Sequence, residues 1–352
     1  MKGYGIISIN NPGWIEAEKP VAGPDDAILR PRVLSPCTSD THSLHGGSGE
    51  KKNMILGHEA IGEVVEVGSA VKDFKVGDVV AVPCCTPDWL MPGVQSKVSF
   101  AHDTGPLGSF KFNTVKHGTM AEFFHVNQAD ANLAHIPDGV LPEAALMTVD
   151  MMSTGFYGVE MANIQYGDTV VVIGIGPVGL MAVAGAALKG AGRIIAIGTR
   201  PNCVKIAREY GATDIISYKE GDLVEQVRAL TGGRGAEGVI IAGGKQETFG
   251  QAIRMCREMG TVANVNYFDV GDVLSFKSYE WGLGMADISI RGGFCPAGRV
   301  RIEKLMQLIK YGRVDPTKMI THTYKGFNKI EESFLLMDKK PADLIKPAVF
   351  ID

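Results

Sequence analysis

The residue types able to hold a catalytic metal come first: Cys37, His58, Glu59 and Asp150. A thiolate, an imidazole and carboxylates are the ligand types that zinc takes, and a catalytic zinc keeps one position open for substrate. Spacing alone does not join the four, which lie far apart along the chain. Each also has an ordinary alternative: Cys37 as a small buried residue, His58-Glu59 as a surface pair, Asp150 as a helix cap. Ser39 and His42 follow Cys37 closely. A hydroxyl and an imidazole placed in this way make a proton relay to water. The same spacing also arises incidentally through local hydrogen bonding.

A second chemistry lies in the stretch Thr169–Arg200, TVVVIGIGPVGLMAVAGAALKGAGRIIAIGTR. Gly174, Gly176 and Gly179 have G-x-G-x-x-G spacing. The run Val170–Ile173 before them suits a strand buried on both faces. The Ala-, Leu- and Met-rich run after them reads as a helix, and Arg193–Ile197 as a second strand. In that context glycines let backbone N–H groups approach a pyrophosphate at a helix N-terminus. Thr169–Leu188 is uncharged and long enough to span a membrane. Its three glycines and Pro177 argue against one continuous helix. After the second strand, an NAD site carries an acid for the ribose 2′-hydroxyl. Here Gly198-Thr199-Arg200 stands there instead: room for a 2′-phosphate, a hydroxyl and a fork of donors. Tyr218 adds another hydroxyl. The pattern points to NADP.

Periodicity gives the elements that must position these groups. Tyr4–Ile9, Ala27–Leu34, Ala60–Val67, Asp78–Pro83 and Glu122–Val126 read as short strands between turn clusters. Thr86–Gly118 reads as a long irregular lobe. Beyond the turn at Ile136–Pro142 comes an apolar helical stretch, and beyond the glycines a β–α alternation. Helices are expected at Cys203–Tyr210, Leu223–Leu230 and Glu247–Arg257, and strands at Asp214–Tyr218, Gly238–Ala242 and Thr261–Asn266. Such alternation implies a parallel sheet covered on both faces. The last part carries helices at Ile302–Tyr311 and Ile330–Asp338. Its tail, Leu344–Ile351, is expected to return as a strand to the first domain. The expected division is 1–150 with 296–352, and 151–295.

A chain of 352 residues is about right for two domains, and 45% apolar with 21% charged residues is a globular balance. The net charge of −4 without long one-sign runs leaves no footprint for nucleic acid or anionic membrane. No secretory signal opens the chain, so a cytoplasmic protein is expected. The six cysteines, Cys37, Cys84, Cys85, Cys203, Cys256 and Cys295, form no C-x-x-C pair and suggest neither a disulfide framework nor a four-cysteine zinc site.

Gly57-His58-Glu59-Ala60-Ile61-Gly62-Glu63-Val64 resembles the GHE-x-x-G-x-V signature of zinc-containing medium-chain alcohol dehydrogenases, and Val76–Val80 is similar to the same family. Pro36–His42, Asp150–Phe156 and Asn264–Tyr267 resemble more narrowly the NADP-dependent secondary-alcohol (isopropanol) dehydrogenases of bacteria and anaerobic protists. The resemblance runs over essentially the whole chain. It implies a GroES-like β-rich catalytic domain plus a Rossmann doubly wound domain. It implies one zinc per subunit on Cys37, His58 and Asp150, with Glu59 as an exchangeable fourth ligand; no four-cysteine structural lobe is present in Thr86–Gly118. A carboxylate at 150, where many relatives use cysteine, makes the donor set harder.

The resemblance further implies that Thr38, Ser39 and His42 serve catalysis. It places Thr38, Thr154, Gly174, Ile175, Gly176, Pro177, Val178, Gly179, Gly198, Thr199, Arg200, Tyr218, Val265, Asn266, Tyr267 and Lys340 at NADP(H). Cys85, Phe110, Phe294 and Cys295 fall where the family lines its substrate pocket, with Trp89, Tyr267 and Met285 nearby. Apolar and aromatic residues suit a small ketone or secondary alcohol. Phe110 where relatives carry tryptophan, and Cys85 where they carry an aliphatic residue, remove volume and favour bulkier ketones; Phe294 works the other way. The resemblance also implies a homotetramer. Rival readings are an NAD-linked polyol dehydrogenase, a zinc-free quinone reductase, and a non-catalytic NADPH-binding protein such as a lens crystallin.

Overall fold

The computed structural model describes residues 1–95, 103, 105 and 107–352. These divide into two compact units, Met1–Ser153 with Cys295–Asp352, and Thr154–Phe294. Met151–Ser153 and Cys295 thus belong to the first unit, a few residues beyond the division expected from sequence.

The first unit is β-rich. Its larger sheet runs in the order Ile320–Lys325, Lys346–Phe350, Ala27–Leu34, Ala60–Val67, Val79–Val82, Ala134–His135, and Phe124–Val126 also pairs with Ala27–Leu34. The tail strand Lys346–Phe350 lies antiparallel to Ala27–Leu34, with Val349 opposite Leu34. A smaller sheet joins Asn11–Glu16, Lys2–Ser8 and Met54–Ile55. Sequence reasoning had no strand at Asn11–Glu16, because Pro12 reads as a breaker. It is tolerated at the sheet edge, where a missing N–H leaves no ladder partner short. Leu29, Leu34, Val64, Val80, Phe124 and Phe334 meet in the core of this unit. That packing makes the inner strands a rigid platform for the turns at their ends.

The second unit holds a six-stranded sheet ordered Asp214–Ile216, Arg193–Ile197, Thr169–Ile173, Ala236–Ile241, Cys256–Asn264, Ser289–Gly292. Every pair is parallel. In chain order that is 3-2-1-4-5-6, the doubly wound order that opens a nucleotide crevice beside the first strand. Thr169–Ile173 is buried along Val170–Ile173, as its unbroken apolar run demands. Helix Pro177–Leu188 starts three residues later, so the uncharged run Thr169–Leu188 is a strand, a turn and a helix. Among the described residues no helix is long and apolar enough to cross a membrane.

Most expected elements appear within a few residues of their ends. Cys256–Asn264 begins five residues before the expected Thr261, because Arg257-Glu258-Met259 is exposed and carries no apolar period. Ser289–Gly292 and Ile320–Lys325 were not expected as strands; both are weakly buried. Of the irregular lobe Thr86–Gly118, positions 96–102, 104 and 106 lie outside the described residues. Its described part includes the short helix Pro92–Gln95.

Candidate metal centre and coenzyme turn

In the first unit, two strand ends and one irregular turn bring the chemistry together. Cys37 caps helix Thr38–Leu44 after strand Ala27–Leu34. His58 and Glu59 immediately precede strand Ala60–Val67. Asp150 lies inside the π-turn Thr148–Met152, where the Met152 N–H reaches the Met147 carbonyl at 3.0 Å. A π-turn inserts an extra residue and re-aims the side chains around it, which is why such turns recur at functional sites. Asp150 is therefore no helix cap, and His58 and Glu59, 1% and 0% exposed, are no surface pair.

One donor atom from each of Cys37, His58, Glu59 and Asp150 lies within 4.8 Å of the others. Cys37 Sγ is 3.8 Å from Asp150 Oδ2. His58 Nε2 is 3.6 Å from Asp150 Oδ2 and 3.8 Å from Glu59 Oε1. Bonds of about 2.0–2.3 Å to a tetrahedral ion set donors ~3.3–3.8 Å apart. Glu59 Oε2 is buried without a hydrogen-bond partner, an anionic oxygen that a cation would satisfy. The donor set and its spacing fit zinc.

Residues around the donors fix them in place. Asp40, fully buried, sits 3.2 Å from His58 Nδ1 through Oδ1. Asn113 Nδ2 donates to the same oxygen at 2.8 Å. The N–H groups of Cys37 and Gly57 donate to the Asp40 carboxylate at 2.9 and 3.2 Å. Asp40 therefore orients the ring so that Nε2 faces the other donors. Burial pushes the Asp40 carboxyl up, but His58 and these N–H groups outweigh it and the net shift is downward. Burial pulls His58 down, yet Asp40's charge and the bonds to Asp150, Asp40 and Cys37 hold it well above an ordinary imidazole. Gly57 admits this packing: its φ is +95°, and a Cβ would meet Met120 and Thr119 at 2.7 Å.

Glu59 has a second partner from the far end of the chain. Lys346 Nζ, in the tail strand, donates to Glu59 Oε1 at 2.7 Å and to the Pro36 carbonyl at 3.1 Å. Burial lifts the Glu59 carboxyl to about 7, with Lys346 drawing it down and Asp150 pushing it further up. Burial pulls the Lys346 ammonium down, but Glu59, Cys37 and Asp150 together outweigh it and hold the group above an ordinary lysine.

Ser39 Oγ lies 3.3 Å from His58 Nε2. His42 is half-buried in the same helix. Thr38 Oγ1 faces Met337 Sδ at 3.9 Å. Phe110 presents an edge to the His58 ring at 5.1 Å. Cys85 and Cys295 are fully buried. Trp89, by contrast, donates through Nε1 to the buried Asn132 at 2.9 Å and packs as part of the framework. Lys340 ends the helix Ile330–Lys339 in a left-handed conformation.

In the second unit the glycines form the turn their spacing implied. Gly174 has φ +87°, and a Cβ on Gly179 would stand 1.8 Å from the Gly174 carbonyl oxygen. Gly176 caps helix Pro177–Leu188, with Pro177 and Val178 in its first turn. Ile175 is buried beside Gly198. Arg200 Nη2 would be 3.8 Å from a Cβ on Gly176, so its guanidinium lies over the turn. Thr199 Oγ1 donates to Tyr218 Oη at 2.8 Å. Gly198, Thr199, Arg200 and Tyr218 thus gather at the ends of adjacent strands. Thr154 is buried, and Asn266 continues from the strand Cys256–Asn264, its N–H bonded to Asn264 Oδ1 at 3.3 Å. Val265 donates its N–H to the Ile241 carbonyl at 2.9 Å, while Tyr267 and Met285 are exposed. Phe294 closes this unit.

Sequence reasoning missed Asp40, Asn113 and Lys346. Lys346 did carry a signal: it is the one charge within the otherwise apolar run Leu344–Phe350. Asp40, three residues after Cys37, reads as an ordinary first-turn acid.

Known proteins match along the whole chain. A family model described as zinc-binding dehydrogenase matches residues 177–311, and one described as alcohol dehydrogenase GroES-like domain matches residues 23–138. NADP-dependent isopropanol dehydrogenase of Thermoanaerobacter brockii is 56% identical over 352 residues, covering 100% of both chains. The enzyme of the same name from Clostridium beijerinckii is 55% identical, again over 100% of both. Among solved structures, alcohol dehydrogenase TADH from Thermus sp. ATN1 superposes with a TM-score of 0.86 at 28% identity, covering 100% of both chains.

Proposed function

The chain belongs to the zinc-containing medium-chain alcohol dehydrogenases, and we propose from this that it interconverts small secondary alcohols and ketones with NADP(H). The observation that carries the reading is the Cys37–His58–Glu59–Asp150 cluster, within 4.8 Å, in a chain 56% identical to an isopropanol dehydrogenase. Cys37, His58 and Asp150 hold one zinc ion, with Glu59 as an exchangeable partner. Zinc supplies Lewis-acid polarisation of the substrate oxygen.

The remaining steps fall to side chains. Ser39 Oγ, 3.3 Å from His58 Nε2, takes the alcohol proton and passes it to His42 and on to water; reduction runs the relay backward. Phe110 and Cys85 offer the substrate an apolar wall and exclude water from the reacting carbon. Phe294 and Cys295 are assigned to the same role on the family pattern. Gly174, Gly176 and Gly179 admit the pyrophosphate to the start of helix Pro177–Leu188. Thr199, Arg200 and Tyr218 bind the 2′-phosphate, and Gly198 leaves it room. Bound in this way, NADP(H) would supply or accept the hydride, and these residues would position its nicotinamide. A homotetramer and a cytoplasmic location belong to this reading on resemblance.

The test is NADPH oxidation with acetone, 2-butanone and an aryl ketone, with and without a zinc chelator, and with NADH in parallel. Ketone reduction that prefers NADPH and stops on chelation is expected. Turnover of the aryl ketone is expected from the volume removed at Cys85 and Phe110. A zinc-loaded protein that binds NADPH and reduces no ketone would overturn the substrate class. Protein that binds NADPH but no metal would favour the non-catalytic rival.

A further inference from the structure

Beside the zinc donors lies a second group whose thiols ketone reduction does not use as metal ligands. Strand Val79–Val82 runs out into Pro83-Cys84-Cys85, and Cys295 is the residue at which the chain re-enters the first unit. The Cys84 N–H is tied to the Val149 carbonyl at 3.1 Å, next to the π-turn that carries Asp150. Cys295 Sγ faces the carbonyls of Val149, Asp150 and Pro296 at 3.9, 3.9 and 3.6 Å. One donor atom from each of Cys84, Asp150 and Cys295 lies within 4.8 Å of the other two. Cys85 Sγ is 3.8 Å from Cys84 Sγ. All three thiols are at most 1% exposed, and none is in a disulfide.

Two metal–sulfur bonds of about 2.3 Å span up to ~4.6 Å across an ion and ~3.8 Å around a tetrahedral one. The cluster therefore needs little movement to close on a cation. Its donors are mostly sulfur, whereas the Cys37 cluster mixes one sulfur with nitrogen and oxygen. That difference in softness sorts cations between the two sites. Charge selects further: two thiolates and a divalent ion sum to zero, so a buried site takes on no added net charge.

We propose that Cys84, Cys295 and Asp150 form a second metal site for a soft divalent cation of the cadmium class. It shares Asp150 with the zinc centre. Binding forms two metal–sulfur bonds and releases the two thiol protons to water, with no change of oxidation state. Because Asp150 serves both ions, the second cation draws that carboxylate from the zinc and slows ketone reduction. This last consequence rests on the proposed dehydrogenase function; the site itself does not.

The experiment adds one equivalent of cadmium chloride to zinc-loaded protein, removes unbound metal and counts both ions per chain. Cadmium-113 NMR on the same sample reports the number of sulfur donors. One cadmium beside a retained zinc, with a resonance shifted downfield as two or more thiolates require, is expected. Cys84→Ser and Cys84→Ala should each weaken cadmium binding at least tenfold, and Cys203→Ser, in the second unit, should not. One-for-one displacement of zinc, or a resonance showing a single sulfur, would overturn the proposal. So would cadmium binding that survives both Cys84 substitutions. If these substitutions prevent folding, the wild-type resonance and zinc count decide alone. If the zinc-loaded protein reduces no ketone before cadmium is added, the proposed function falls and this site still stands on its metal count.

Discussion

Asp40 shows what a single carboxylate does behind a candidate metal ligand. It holds His58 Nδ1 at 3.2 Å while taking hydrogen bonds from Asn113 and two backbone N–H groups. Asp40→Asn keeps the shape and removes the charge that fixes the ring. Zinc affinity, measured by competition with a chelator, is expected to fall about 10–100-fold, the usual cost of losing such a partner. Lys346 acts on Glu59 in the opposite sense, as a buried counter-ion at 2.7 Å. Lys346→Met leaves Glu59 buried without it, and removing one partner of a buried pair costs about 3–5 kcal/mol. Thermal unfolding of the zinc-free protein should show that loss, and the Glu59→Gln/Lys346→Met double variant should recover much of it. A double variant no more stable than Lys346→Met would mean that the pair contributes nothing as a pair.

Elements explain which of these residues could be read in advance. Cys37, His58, Glu59 and Asp150 were legible because each is a ligand type in a recognisable motif. Asp40 and Asn113 were not, since their importance lies in meeting His58 across 18 and 55 positions. Buried apolar strands such as Thr169–Ile173 announce themselves; Ser289–Gly292, with an exposed pattern, has no period to detect. The strand Cys256–Asn264 was placed late for a related reason. Its pairing with Ala236–Ile241 breaks between Ala236 and Gly238, and Met259 in that break has φ +62° with 79% of its surface exposed. A left-handed conformation costs an L-residue about 1–2 kcal/mol, and glycine's extra freedom in the unfolded chain offsets part of that. Met259→Gly is expected to stabilise the protein by about 0.5–1 kcal/mol in denaturant unfolding. An unchanged or lower midpoint would show that the methionine side chain makes up for its backbone.

At the scale of the molecule, the proposed coenzyme preference rests on two strand ends brought side by side. Gly198, Thr199, Arg200 and Tyr218 meet there with no acid among them. Gly198→Asp is expected to move the ratio of kcat/KM values from NADPH toward NADH. The structure adds a control: any Cβ at 198 would come within 2.3 Å of Ile175 Cγ1, beside the phosphate turn. Gly198→Ala isolates that crowding and should weaken both coenzymes alike. If alanine shifts the ratio as far as aspartate does, crowding rather than charge sets the preference.

The first unit is written in two pieces, with the whole second unit between them. Cys37, His58, Glu59 and Asp150 all leave the ribosome in the earlier piece, and Lys346 follows only after the whole second unit. Until then strand Ala27–Leu34 lacks its neighbour Lys346–Phe350, and Glu59 lacks its counter-ion. The second unit has its complete sheet earlier, so translation favours its folding first. A nascent chain stalled before residue 346 therefore holds all four donors with Glu59 still lacking its counter-ion.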